Sequence, residues 1–383
     1  MNTVSETLQT KPARNTAIDV AKGIGILLVV VGHLWDKLPF FDVIHCILYA
    51  FHMPLFFIIS GMLFKNTYTK FSVFLKKRLK TLICPYILFA VISWMWYVFT
   101  YAVLPRRFTS AALTKCAGWF GQIFYAQYST KVMNTPLWFV TSLFALEIIY
   151  YFISKIKNKS KGLFWIVILA FTALGWFAES SYCPIDTSVL PWNLASAFYA
   201  LGFYALGNNI APFLKGYLYS ENKIFKSKAQ KNTILWALVC VCLFISSYLG
   251  IKNGYISIGL RELGNGWTFY VTGIIGTFGI LSLGFLLKKC KFLQFCGRNS
   301  FYIMATHILF KEIIVRVYAI LAKIFKSAFK IQFFAKHPEI DRASFAQCLI
   351  LTLTVIVLCC IFIIFYNKLK SFILTKKEKA GAN

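Results

Sequence analysis

The sequence predicts an all-α protein: a polytopic integral membrane bundle of about ten transmembrane helices with both termini in the cytoplasm. Three observations predict it. The first is composition, since 58% of the 383 residues are hydrophobic, 18% aromatic and only 14% charged, with a mean hydropathy of +0.66. A soluble chain of this length would need far more polar surface. The second is segmentation into apolar stretches at 17–35, 43–64, 82–104, 136–153, 163–179, 189–211, 234–250, 268–287, 299–322 and 345–366. Each is long enough to cross a hydrocarbon core of about 30 Å as a helix, whereas barrel strands would be about half that length. The third is the placement of charge. Most of the 41 Lys and Arg residues fall in the two tails and in the loops 65–81, 154–162, 212–233 and 288–298, the positive-inside bias that puts both termini in the cytoplasm.

That distribution also explains the net charge of +28 without nucleic acid, because no basic block sits on a soluble recognition module. Membrane lipid is the expected surroundings. The chain divides into an N-terminal cytoplasmic tail (1–16), a transmembrane domain (17–366) and a basic cytoplasmic tail (367–383). The first apolar run follows polar residues and lacks a small-residue cleavage site, so a retained helix is expected in place of a cleaved signal. The longest connection, 105–135, leaves no room for a second soluble domain. Eleven cysteines form neither a zinc spacing nor a disulfide framework, and no metal site is expected. Cys116 and Cys183 both fall in predicted outside loops and are placed to pair.

In the first span, "AIDVAKGIGILLVVVGHLW", Lys22 and His33 are three turns plus about 20° apart. They therefore share one helix face, separated by roughly 16 Å along the axis. One such residue alone reads as a snorkelling lysine or a packed histidine. Two on one face mark a substrate or proton path, because ionisable groups within a span are costly. Asp19, three residues before Lys22, suits either a pair with it or a favourable helix start.

The second span, "IHCILYAFHMPLFFIISGMLF", puts His45 and His52 on one face. Pro54 removes a backbone donor just beyond His52, so a kink is expected there, and kinked polar helices line cavities. His45 reads as an interfacial residue, and His52 as the deeper, functional one. Before the third span, "KKRLKTLICPY" places Arg78 and Lys80 just ahead of the point where Pro85 enters the membrane. In the fourth, "PLWFV" carries Trp138 near a span end, where tryptophan is ordinary interface chemistry. Glu147, mid-span, must face protein or water, as a structural partner or a proton acceptor.

The stretch "IDVAKGIGILLVVVGH" resembles the first helix of the membrane-bound acyltransferase 3 family, whose signature is a basic residue, ten residues, then histidine. Lys22 and His33 fit that spacing, with Lys where many members have Arg. "FHMPLFFIISG" resembles the second-helix motif of the branch that includes fucose 4-O-acetylase-like proteins and exopolysaccharide O-acyltransferases. "KKRLKTLICPY", "PLWFV" and "GRNSFYIMATH" (297–307) resemble later motifs, in the right order.

The resemblance implies transfer of an acyl group to a hydroxyl of a glycan or lipid-linked sugar presented at the far side of a bacterial inner (plasma) membrane. The donor is usually cytoplasmic acetyl-CoA, and acetyl-CoA or another acyl-CoA is a co-substrate rather than a permanently bound cofactor. An alcohol is a poor nucleophile at neutral pH, so a base is needed, and histidine titrates near neutrality. His33 takes that role, with His52 and His307 as the other catalytic candidates. Lys22, Arg78 and Lys80 are the candidates for holding the CoA phosphates by charge-assisted hydrogen bonds, although Lys22 lacks the fork of Arg. Trp138, Glu147, Asp19 and Ser300 are the substrate-binding candidates. The same intramembrane ionisable groups also suit a polytopic transporter, or an exporter of a glycan or small polar solute.

Overall fold

The computed structural model describes residues 14–36, 40–65, 70–126, 134–179, 190–218, 227–324 and 345–380. Among them the chain is helical, and the sole β pairing is an isolated bridge between Ser257 and Glu262. The helices are α1 (Thr16–Leu34), α2 (Phe41–Tyr49), α3 (His52–Leu63), α4 (Phe71–Arg78), α5 (Cys84–Val98), α6 (Ser110–Tyr125) and α7 (Trp138–Lys157). There follow α8 (Lys161–Glu179), α9 (Leu194–Leu218), α10 (Lys228–Asn253), α11 (Gly266–Leu286), α12 (Lys291–Arg298), α13 (Ser300–Ile324) and α14 (Phe345–Ala380).

Eight helical segments among the described residues are long and apolar enough to cross a membrane. They are α1, α2 with α3, α4 with α5, α7, α8, α10, α11 and α14. Helices α9 and α13 have the length of a span but are more polar: α9 carries Asn208 and Asn209, and α13 carries Lys311, Glu312 and Arg316.

Helix α1 is central. Asn15 caps it, its side chain accepting from the backbone N–H groups of Ala17 and Ile18. Helices α11, α12, α13 and α3 pack around α1. The approach of α12 depends on glycine at both sides: a Cβ at Gly297 would meet the carbonyl of Asp19, and one at Gly23 the carbonyl of Leu293. Helices α8 and α10 lie at the periphery, with most of their side chains facing outward.

The second span breaks one turn earlier than the kink expected at Pro54. Helix α2 ends at Tyr49, Phe51 leaves helical geometry (φ −138°, ψ −18°), and α3 starts at His52 with Pro54 in its first turn. Pro54 has no N–H for the carbonyl of Ala50, and a first turn tolerates that loss. The connection 105–135 contains α6, started by the Thr109 hydroxyl accepting from Ala112 N–H. Tyr86 and Trp94 of α5 donate to the carbonyls of Ile123 and Cys116 at 2.8 and 2.9 Å, fixing α6 against α5. Cys116 is a buried free thiol in α6, while Cys183 lies outside the described residues.

Candidate active site

Two cavities inside the bundle share part of their lining. The inner chamber, about 190 Å³, runs from Lys22 and Ser300 past Ser60, Leu82, Phe139 and Met304 to His33, Met53 and Trp138. The outer chamber, about 300 Å³, starts from the same His33, Met53 and Trp138 and opens past His45, Tyr49, His52, Tyr255, Asp36 and Lys311. Lys22 and His33 do share one face of α1, as their spacing requires. That face is the wall along which the two chambers follow each other.

The four histidines among the described residues converge around Tyr49. His33 lies 6.3 Å from its ring centroid, His52 4.4 Å and His45 3.5 Å, while His307 is 5.4 Å from His33. Two of these rings have their tautomer set by the backbone. Nδ1 of His52 donates to the carbonyl of Leu48 at 2.7 Å, and Nδ1 of His307 to that of Ile303 at 3.0 Å. In the neutral ring each therefore keeps its lone pair on Nε2. His307 is fully buried, and its Nε2 has no hydrogen-bond partner among the described residues. His33 is half-buried and faces both chambers.

His45 is buried, not interfacial. Tyr49 stacks on one side of it and Tyr255 on the other, the latter 4.2 Å away and 2° from parallel. Lys311 was not singled out by the sequence, yet its Nζ donates to the carbonyl of His33 at 2.7 Å and lies 3.4 Å from Asp36. It ties the C-terminal turn of α1 to α13, where a cation is favourable beside unsatisfied carbonyls. Its signal was its position one helical turn after His307.

The basic candidates separate. Among the described residues no carboxylate lies within ion-pair distance of Lys22, because Asp19 goes instead to Arg14 at 2.7 Å and Arg298 at 3.4 Å. Asp19 is thus a structural anchor between the N-terminal approach, α1 and α12, and lines neither chamber. Arg78 joins Glu147 through Nε at 2.8 Å in a nearly buried pair, and Tyr204 donates to the other carboxylate oxygen at 3.0 Å. Glu147 therefore stands behind the chambers as the partner of Arg78. Lys80 is exposed in the π turn Leu79–Ile83, whose Leu82 lines the inner chamber. Trp138 lines both chambers and Ser300 lines the inner one.

The arrangement supplies a cation at one end, a histidine cluster in the middle and a polar aromatic vestibule at the other end. Comparison with known proteins adds a lineage. A family model described as an acyltransferase domain, the third acyltransferase family, matches residues 15–366. The chain is 27% identical over 204 residues to the nodulation protein NolL of Mesorhizobium japonicum, covering 50% of this chain and 47% of that protein. It is 26% identical over 242 residues to the nodulation protein NolL of Sinorhizobium fredii, covering 60% and 57%. The chain thus spans about half the length of the curated relatives it matches.

Proposed function

The chain belongs to the acyltransferase 3 family, and on that premise we propose that it is an O-acyltransferase carrying an acyl group, most simply acetyl, from cytoplasmic acyl-CoA to a sugar hydroxyl outside. The observation that carries this reading is that His33 lines both chambers. A donor and an acceptor that enter from opposite faces need a meeting point, with a base at it.

In this scheme ten helices span a bacterial plasma membrane with both termini inside, so that Lys22, Ser300 and the π turn carrying Lys80 mark the cytoplasmic mouth. The CoA phosphates rest among Lys22, Lys80 and the Nη groups of Arg78, whose Nε stays with Glu147. The pantetheine arm follows the apolar inner chamber toward His33. A sugar enters the outer chamber between the Tyr49–His45–Tyr255 stack and the Asp36–Lys311 pair. His33 takes the proton of the acceptor hydroxyl as its oxygen attacks the thioester carbonyl, and the tetrahedral intermediate collapses with cleavage of the C–S bond. The thiolate leaves and recovers that proton from the imidazolium, so charge and atoms balance. The Nε2 lone pair of buried His307, behind the imidazolium, steadies its positive charge.

Mass spectrometry of surface glycans tests the reading. A strain lacking the gene should lose an acyl mass from one glycan and regain it on complementation with the wild-type gene but not with His33→Gln. Unchanged glycan masses in the deletion strain would contradict it.

A further inference from the structure

The two chambers have three lining side chains in common: His33, Met53 and Trp138. Two of these differ in how firmly they are held. The indole of Trp138 lies against the backbone of Gly259, where an added Cβ would come within 3.0 Å of the ring. The loop beneath it is fixed in turn: Ser196 Oγ donates to the carbonyl of Ile258 at 2.9 Å, Ser257 and Glu262 exchange backbone hydrogen bonds, and Asn253 donates to the carbonyl of Leu263. Trp138 is a rigid wall.

Met53 is different. Its backbone is set by His52, tied to Leu48, and by Pro54, packed so that a Cβ at Gly273 would meet the proline ring at 2.8 Å. Its side chain, however, is unbranched and half-buried between the chambers, with the torsional freedom of a thioether. A fixed aromatic side chain and an adaptable one thus line both chambers together with the base.

Resting on the acyl-transfer reading, we infer that Met53 and Trp138 form a gate that measures the acyl group, admitting a short chain to His33 and holding back longer ones. An acyl chain that reaches His33 from the inner chamber lies against both side chains. Each further methylene has to displace Met53 or project into the outer chamber, where it takes space the acceptor needs. One methylene too many in such a site costs about ten-fold or more in kcat/KM.

The test uses the full-length protein in proteoliposomes, with acetyl-, propionyl- and butyryl-CoA as probes and water as acceptor, reading release of the CoA thiol. For the wild type, kcat/KM should fall about ten-fold or more per added methylene. Met53→Ala should raise the butyryl-to-acetyl ratio about ten-fold or more, and Met53→Val, which removes less, should raise it by a smaller factor. Met53→Leu conserves volume and should keep the wild-type profile. Identical chain-length profiles in the wild type and in both shortened variants would overturn the gate while leaving acyl transfer intact. Thiol release from none of the donors by the wild type would overturn the acyl-transfer reading beneath it.

Discussion

The imidazoles of His33 in α1 and His307 in α13 lie 5.4 Å apart, centroid to centroid. Their exposures differ: His33 faces both chambers, whereas His307 is fully buried with Nδ1 committed to the carbonyl of Ile303. One ring is placed to meet a ligand, and the other is placed to act on the first. On the acyl-transfer reading proposed above, His307 acts through His33 as a positioning residue.

His33→Gln keeps a polar side chain of similar reach and should cut acyl transfer by about 10²- to 10⁴-fold, the usual contribution of a general base. Protein yield and thermal midpoint should stay near the wild type. A well-folded His33→Gln protein with wild-type turnover would remove His33 from the chemistry.

His307→Asn retains an amide N–H for the Ile303 carbonyl but loses the Nε2 lone pair. The expected result is a lower kcat with little change in KM for acyl-CoA, because nothing that touches the donor is altered. A rise in KM with kcat preserved would place His307 on the ligand instead.

Arg78 and Lys80, neighbours in sequence, should behave differently. Lys80→Gln removes an exposed cation and should raise KM for acyl-CoA with no loss of thermal stability. Arg78→Gln should raise KM and also destabilise the fold, since it leaves Glu147 without its ion-pair partner, a change that costs about 3 to 5 kcal/mol for buried pairs. Glu147→Gln should lower stability as well, and denaturation in detergent micelles compares the three. Equal stability across them would mean that the Arg78–Glu147 pair holds nothing.

Gly259→Ala places a methyl group 3.0 Å from the Trp138 ring. The indole, which lines both chambers, must give by a few tenths of an ångström, so transfer should fall. Gly118→Ala is the control, as a Cβ there meets nothing within 4 Å. Equal transfer by the two variants would show that the Trp138 wall does not set access.

Much of the site was legible in the sequence because helical periodicity is local. The shared face of Lys22 and His33 follows from spacing alone, whereas the second span breaks at Phe51, one turn before the kink expected at Pro54. What spacing does not encode is which partner a charged side chain finds across the bundle. Asp19 is three residues from Lys22 yet binds Arg14 and Arg298, and Glu147 reaches back to Arg78 on an earlier element. Arg298 and Arg78 are brought close by tertiary packing, while Arg14 stands five residues before Asp19 on the approach to α1. His45 looked interfacial because the ring that covers it from outside, Tyr255, belongs to a loop far along the chain. Helix α6 was missed inside a connection because its apolar face is made by α5 packing onto it, and its residues are too mixed in polarity to read as a span.

If donor and acceptor meet at His33 from opposite faces of the membrane, transfer depends on the side to which each is supplied. Inside-out vesicles expose the cytoplasmic face. Acetyl-CoA added to them should be consumed with a glycan acceptor enclosed in the lumen, while right-side-out vesicles given external acetyl-CoA should show no transfer, because a multiply charged donor does not cross the bilayer unaided. Full activity in inside-out vesicles with donor and acceptor both supplied only at the cytoplasmic face, and none added to the lumen, would contradict a meeting from opposite faces.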